Sequence, residues 1–137
     1  MREQTIFEKI INRELPADII YEDEEHLVIL DINPFEKGHI LVIPKHHYET
    51  IMDMSEEAYL QLQSLVHRFA LRMHQSFGGG INVVQNNYPE AHQVVPHVHV
   101  HLIPRTEDKP MYHSELHTGG YESDEEKESF ISKLKLV

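Results

Sequence analysis

The apolar positions of the chain fall into two kinds of pattern. Across residues 55–76, Ala58, Leu62, Leu65, Val66, Phe69 and Met73 recur at the spacing of one helical face. Asp53 or Ser55 can cap its start, Glu56 and Glu57 suit its first turn, and Gly78 can take the left-handed conformation that closes it. Residues 5–13 predict a short helix with Thr5 near its start, Ile6, Phe7 and Ile10 inward, and Pro16 as its stop. Residues 123–134 predict a last helix, with Ser123 and Glu126 at capping-box spacing. Short apolar runs predict strands at 19–21 and 27–30, around an acidic turn at Asp23 and Glu24. Further strands are expected at 39–43, stopped by Pro44, at 81–85 and at 97–103. Asn33-Pro34 and Lys37-Gly38 punctuate the chain, 86–96 reads as a polar loop, and 107–121 as an irregular tail. Five strands, one long helix and no regular strand–helix alternation predict an antiparallel α+β domain, the long helix lying on one sheet face. One domain over 1–137 is expected, with 107–137 as a C-terminal extension.

Composition narrows the partners. Twelve basic and 23 acidic residues give a net charge of −11 with histidine neutral. Such a surface repels polyanions, so nucleic acid and anionic membranes are not expected partners, while a small phosphate-bearing ligand can still meet a locally positive pocket. The acidic excess at 22–25 and 122–128 reads as solvated surface. The absence of cysteine removes disulfides, thiolate metal sites and a cysteine nucleophile, and agrees with an intracellular, cytoplasmic enzyme. Charged Arg2, Glu3, Glu8 and Lys9 interrupt the first residues, unlike a signal peptide, and no apolar stretch is long enough to span a bilayer.

The densest chemistry lies at His97-Val98-His99-Val100-His101-Leu102-Ile103. Strand alternation puts three imidazoles on one face and Val98, Val100 and Leu102 on the other. The imidazole face is expected to sit near water or polar partners, because burying bare rings is costly. An imidazole nitrogen attacks phosphorus well near neutral pH, and its neighbours can donate to the phosphoryl oxygens. The middle ring, His99, is the natural nucleophile by position. A zinc site built on the same alternation, or a histidine-rich edge without function, remains an alternative at this point.

The run matches the His-φ-His-φ-His-φ-φ signature, φ being apolar, of the histidine triad family. The resemblance extends over roughly residues 5–105. It includes Ile6-Phe7-Glu8-Lys9-Ile10-Ile11, Tyr21-Glu22-Asp23, Leu30-Asp31-Ile32-Asn33-Pro34, Gly38-His39-Ile40-Leu41-Val42-Ile43-Pro44-Lys45 and Asn86-Asn87. The chain is most similar to the compact branch of nucleoside phosphoramidate and dinucleoside polyphosphate hydrolases, often homodimers. The resemblance implies that His99 takes a nucleotidyl group from the α-phosphorus and that water then releases it, with no metal or other cofactor required for the attack. It implies that His97 and His101 hold phosphate oxygens and orient the nucleophile, with His39 completing the cluster. Asp31 would accept from ribose hydroxyls, Phe7, Ile32 and Leu41 would build an apolar base slot (Ile10 being safer as core), and Asn86 and Gln93 would reach the phosphate or ribose.

This chain also departs from the family. His92 and Tyr88 stand where glycines are common, and Val94 stands where some members carry a hydroxyl serving the leaving group. Some bacterial members hold a structural zinc through N-terminal cysteines. With Glu8 and no cysteine, that zinc site is not expected here, and no residue is assigned as a metal ligand. Lys45, His46 and His47 read as a solvated turn, and Tyr112, His113 and His117 receive no role. Two alternatives to the hydrolase are kept: a nucleotide-binding or interaction protein with weak catalysis, and a metal-dependent hydrolase with the histidines as ligands.

Overall fold

The structure is a computed structural model and describes residues 2–110 and 120–136. Five strands form one sheet: β1 (Ile19–Glu22), β2 (His26–Leu30), β3 (Ile40–Pro44), β4 (Gly80–Val84) and β5 (Val100–Arg105). Their order is β1-β2-β3-β5-β4, and every neighbouring pair is antiparallel. Among the described residues three α-helices, α1 (Ile6–Ile11), α2 (Glu56–Phe77) and α3 (Asp124–Leu134), complete the α+β domain. The expected fold class is the observed one.

Strand alternation splits the core in two. Val28, Leu30, Ile40, Val42, Val98, Val100 and Leu102 meet Leu62, Leu65, Val66, Phe69 and Met73 of α2, with Ile131 and Leu134 of α3 behind them. The opposite face gathers Leu27, Ile29, Leu41 and Ile43 under Phe7 and Ile10 of α1. Cover on both faces explains why β2 and β3 read as unbroken apolar runs and are buried throughout.

The ends of α2 follow from its sequence. Ser55 Oγ accepts from the Ala58 N–H at 3.1 Å, while Asp53 caps a separate short turn through the Thr50 N–H. Gly78 leaves the helix at φ 69° and ψ −166°, so its φ is positive but its conformation is not left-handed helical. At Gly79, also with positive φ, a Cβ would stand 2.6 Å from the Arg105 carbonyl oxygen, so only glycine fits where the helix turns into β4.

Four local expectations are corrected. Ile6 is 46% exposed and faces outward, because α1 turns Phe7 and Ile10 to the sheet with Ile11 packed beside them. The helix stops at Ile11, ahead of Pro16, where Asn12 caps it and Arg13 takes φ 63°. The last strand starts at Val100, not at His97. Ahead of it the chain bends, with His97 N–H bonded to the Val95 carbonyl and Val98 N–H to the Tyr48 carbonyl, so residues 97–99 lie outside the ladder. In α3, Ser123 caps Glu126 N–H as expected, but the Glu126 carboxylate accepts from Glu122 N–H, so the capping box is half formed. Of the tail expected to be irregular, residues 107–110 and 120–121 carry neither helix nor strand, and 111–119 lie outside the described residues.

Candidate active site

The histidines lie on the sheet face that α1 covers. His101 pairs in register with Leu41, and the Phe7 ring meets His99 edge-on at 4.9 Å and His97 at 5.8 Å. His97, His99, His101 and His39 are all buried, and of the water or polar partners expected for them it is polar partners that they meet. Hydrogen bonds offset the cost of that burial.

The bonds also fix where each ring carries its proton. His99 Nδ1 lies 2.7 Å from the main-chain carbonyl of His97, which only accepts, so Nδ1 is protonated and Nε2 holds the lone pair. No bond to that Nε2 occurs among the described residues. His39 Nδ1 accepts from the Phe35 N–H at 3.0 Å, so its Nε2–H donates to His101 Nδ1 at 3.0 Å. The His101 proton is therefore on Nε2. Asp31 Oδ2 stands 3.4 Å from His39 Nε2 and 3.9 Å from His101 Nδ1. His97 is anchored at both ring nitrogens: Nε2–H donates to the Pro44 carbonyl at 2.8 Å, and Nδ1 faces Thr5 Oγ1 at 3.3 Å. That ring is turned into the protein, and its main-chain oxygen is what touches His99.

Burial holds all four imidazoles neutral at pH 7. It depresses His97 to about 4, His39 to about 3 and His101 to about 2, with repulsion from neighbouring imidazoles adding to the effect. His99 is lowered by the same desolvation, partly opposed by its bond to the His97 carbonyl. A neutral His99 with its pair on Nε2 is the form that attacks an electrophile.

The other candidate residues divide. Phe7 and Leu41 sit in the small core beside the rings, whereas Ile32 is 87% exposed. Asp31 Oδ1 accepts from the Asn33 N–H at 2.8 Å, so the residue also shapes the turn before Pro34. With Ile32 it borders a cavity of about 500 Å³, walled on the far side by Tyr121, Asp124 and Lys127. The C-terminal segment is tied there by the Gly38 N–H donating to the Tyr121 hydroxyl at 2.9 Å and by the Lys37–Glu126 ion pair at 2.9 Å.

Asn86 lies two residues past Val84, which pairs with His101, so the strand register carries it toward the level of His99. Its Nδ2 is 3.4 Å from the His92 carbonyl. Gln93 is buried and braces the loop. It accepts from the Tyr88 N–H at 2.6 Å and donates to the carbonyls of Glu49 at 2.6 Å and Val95 at 3.1 Å. Those bonds engage both ends of its amide with the main chain. Tyr88 and His92 keep positive φ, at 73° and 67°, although neither is glycine. Lys45 pairs with Glu22 at 2.7 Å.

Sequence reading missed Thr5, taken only as a helix start, and His47, taken as a turn residue. His47 lies edge-on to His97 at 5.3 Å and donates to the Pro96 carbonyl. Glu8, His47 and His97 bring ligand atoms within 4.8 Å of one another. Their donors are engaged, however. Glu8 grips Arg2 through both oxygens and takes the Thr5 N–H, and both His97 nitrogens are bonded. As arranged, this cluster does not fit a metal ion.

Comparison with known proteins matches the HIT domain to residues 12–108. An uncharacterized HIT-like protein of Methanocaldococcus jannaschii is 46% identical over 102 residues, 74% of this chain and 79% of its own. An adenosine 5'-monophosphoramidase of Saccharomyces cerevisiae is 39% identical over 104 residues, 76% of this chain and 64% of its own. An adenylylsulfatase of Arabidopsis thaliana is 34% identical over 137 residues, 98% of this chain and 70% of its own. Among solved structures, a Hit-like protein of Bartonella henselae superposes with a TM-score of 0.84 at 31% identity, covering 98% of this chain and 96% of that one. A zinc-bound histidine triad family protein of Mycobacterium smegmatis gives 0.76 at 34% identity, covering 95% and 89%.

Proposed function

Because the chain belongs to the histidine triad (HIT) family, we propose that it is a nucleotide hydrolase acting through a covalent nucleotidyl intermediate on His99. The observation that carries this reading is the 2.7 Å bond from His99 Nδ1–H to the His97 carbonyl, which places the lone pair on Nε2. The substrates are nucleoside phosphoramidates or dinucleoside polyphosphates. Relatives named as a phosphoramidase and an adenylylsulfatase support the class.

In the first step His99 Nε2 attacks the α-phosphorus. The P–N bond forms as the bond to the leaving group breaks, and solvent supplies the leaving group's proton, because Val94 has no hydroxyl to offer. His101, with its proton on Nε2, donates to a non-bridging oxygen as charge accumulates there. In the second step water attacks phosphorus and gives a proton to solvent, the P–N bond breaks with its electron pair returning to His99 Nε2, and the nucleoside monophosphate leaves. Asn86 contacts the phosphate, Asp31 accepts from the ribose hydroxyls, and Phe7, Leu41 and Ile32 contact the base.

Two further parts belong to this reading. The protein is a cytoplasmic homodimer, its contact made by the sheet-edge strand β4 with exposed Val83 and by Leu60 and Leu71, which share one face of α2. Sedimentation at micromolar concentration tests the dimer.

The chemistry is tested by single turnover with a nucleotide labelled at the α-phosphorus. Label is expected on His99, and His99→Ala is expected to lower turnover by at least ~10³-fold. Turnover by the alanine variant at the wild-type rate would falsify the reading. Tight nucleotide binding without turnover would favour a binding protein instead, and loss of turnover on metal chelation would favour a metal-dependent one.

A further inference from the structure

We propose that Thr5 is a positioning residue for the nucleophile, acting through His97 to fix the orientation and tautomer of His99. The proposal rests on the reading of His99 given above. A continuous set of bonds carries it. Arg2 holds Glu8 with both guanidinium nitrogens, at 2.6 Å and 2.9 Å. Glu8 in turn takes the Thr5 N–H at 3.0 Å, and its own N–H donates to Thr5 Oγ1 at 3.1 Å. These two bonds are the capping box of α1.

The cap uses the Thr5 hydroxyl only as an acceptor. Its proton is left to point elsewhere, and His97 Nδ1 lies 3.3 Å away, across 92 residues of sequence. The roles match, because the Nε2–H of His97 is committed to the Pro44 carbonyl and Nδ1 must therefore accept. Thr5 is 7% exposed and His97 0%, so water does not compete for either group. With its ring held from both sides, His97 cannot swing, and its peptide plane aims the carbonyl at His99 Nδ1. Only the Nδ1–H form of His99 leaves Nε2 for phosphorus. Thr5 touches neither substrate nor reacting atoms. It sets the aim of the group that sets the tautomer.

A cap alone predicts a different outcome from a positioning role. Thr5→Val keeps the shape and loses both the cap and the proton, whereas Thr5→Ser keeps both. Single-turnover rates at saturating substrate are expected to fall tenfold or more in Thr5→Val with KM changed less than twofold, and Thr5→Ser is expected to recover the rate to within threefold of wild type. Imidazole nitrogen NMR on the unmodified protein gives an independent check that does not depend on any variant folding. His97 is expected as the Nε2–H tautomer and His99 as the Nδ1–H tautomer. A Thr5→Val enzyme as fast as wild type, a serine variant as slow as the valine one, or a His97 proton on Nδ1 overturns the proposal while labelled His99 stands. A wild-type enzyme that turns over without label on His99 defeats the nucleophile itself.

Discussion

His99 is useful as a nucleophile only while neutral, and its surroundings favour that form. Desolvation pulls it below the ordinary imidazole value of 6.5, and the carbonyl bond opposes only part of the shift. The consequence for rate has a definite sign. As pH falls through 6.5, a solvent-exposed imidazole would lose its lone pair, but His99 keeps it. The acid limb of kcat/KM, which reports the free enzyme, is therefore expected below 6.5. A pH–rate profile measured from pH 4.5 to 8 checks this, and a limb at or above 6.5 contradicts it. Asp31 allows a second test at the same scale. Asparagine there keeps an oxygen for the Asn33 N–H but loses the charge beside His39 and the pure acceptor for two hydroxyls. Asp31→Asn is expected to raise KM more than it lowers kcat, and equal loss in a 2',3'-dideoxy substrate series would detach Asp31 from the ribose.

The loop from β4 to His97 is the element where sequence and geometry disagree most. Tyr88 sits at φ 73° and ψ 155°, a region that glycine enters without strain and tyrosine does not. Buried Gln93 holds it there through the Tyr88 N–H. Strain of this kind costs ~1–3 kcal/mol, and glycine gives back ~0.5–1 kcal/mol through the unfolded chain. Tyr88→Gly is thus expected to stabilise the fold by about 1 kcal/mol, read as a higher urea midpoint at unchanged slope. A destabilised variant would mean that the exposed tyrosine ring holds the loop. Elements elsewhere were legible because their signal is periodic burial: α2 was readable from Leu62, Leu65, Val66, Phe69 and Met73, and β2 and β3 from continuous apolar runs. The histidine cluster was legible as a pattern, though not its burial, nor the bend that puts His97 and His99 ahead of β5. The bracing role of Gln93 and the reach of Thr5 to His97 were illegible for a physical reason. Their partners are backbone groups or lie far along the chain, and neither kind leaves a mark on local sequence.

At the scale of the whole molecule, the buried imidazoles make stability depend on pH. His97, His39 and His101 are held at about 4, 3 and 2, so between those values and 6.5 the unfolded chain binds protons that the native state refuses. Stability is therefore complete above 6.5 and is lost as pH falls, each imidazole contributing up to about 1.4 kcal/mol per pH unit within its own window. Glu8, lowered to about 2 chiefly by its bond to Arg2, has the same sign but acts only below its ordinary value of 4.5. Urea midpoints are expected to decline from pH 7 to pH 5, where the histidines act and Glu8 does not. A flat profile across that range would place the rings in water. The two-sided core separates these effects in space, with α2 and α3 on one face of the sheet and α1 and the imidazoles on the other.

The group that holds His99 in its working form is a peptide oxygen. No point substitution can delete it. A side-chain acceptor in the same place would be one codon change from loss, but this one disappears only if the chain itself is re-routed. A substitution at position 97 can misdirect the carbonyl but cannot remove it. On the proposed reading the vulnerable positions are those that hold the His97 ring, Thr5 ahead of α1 and Pro44 at the end of β3, and not the acceptor itself.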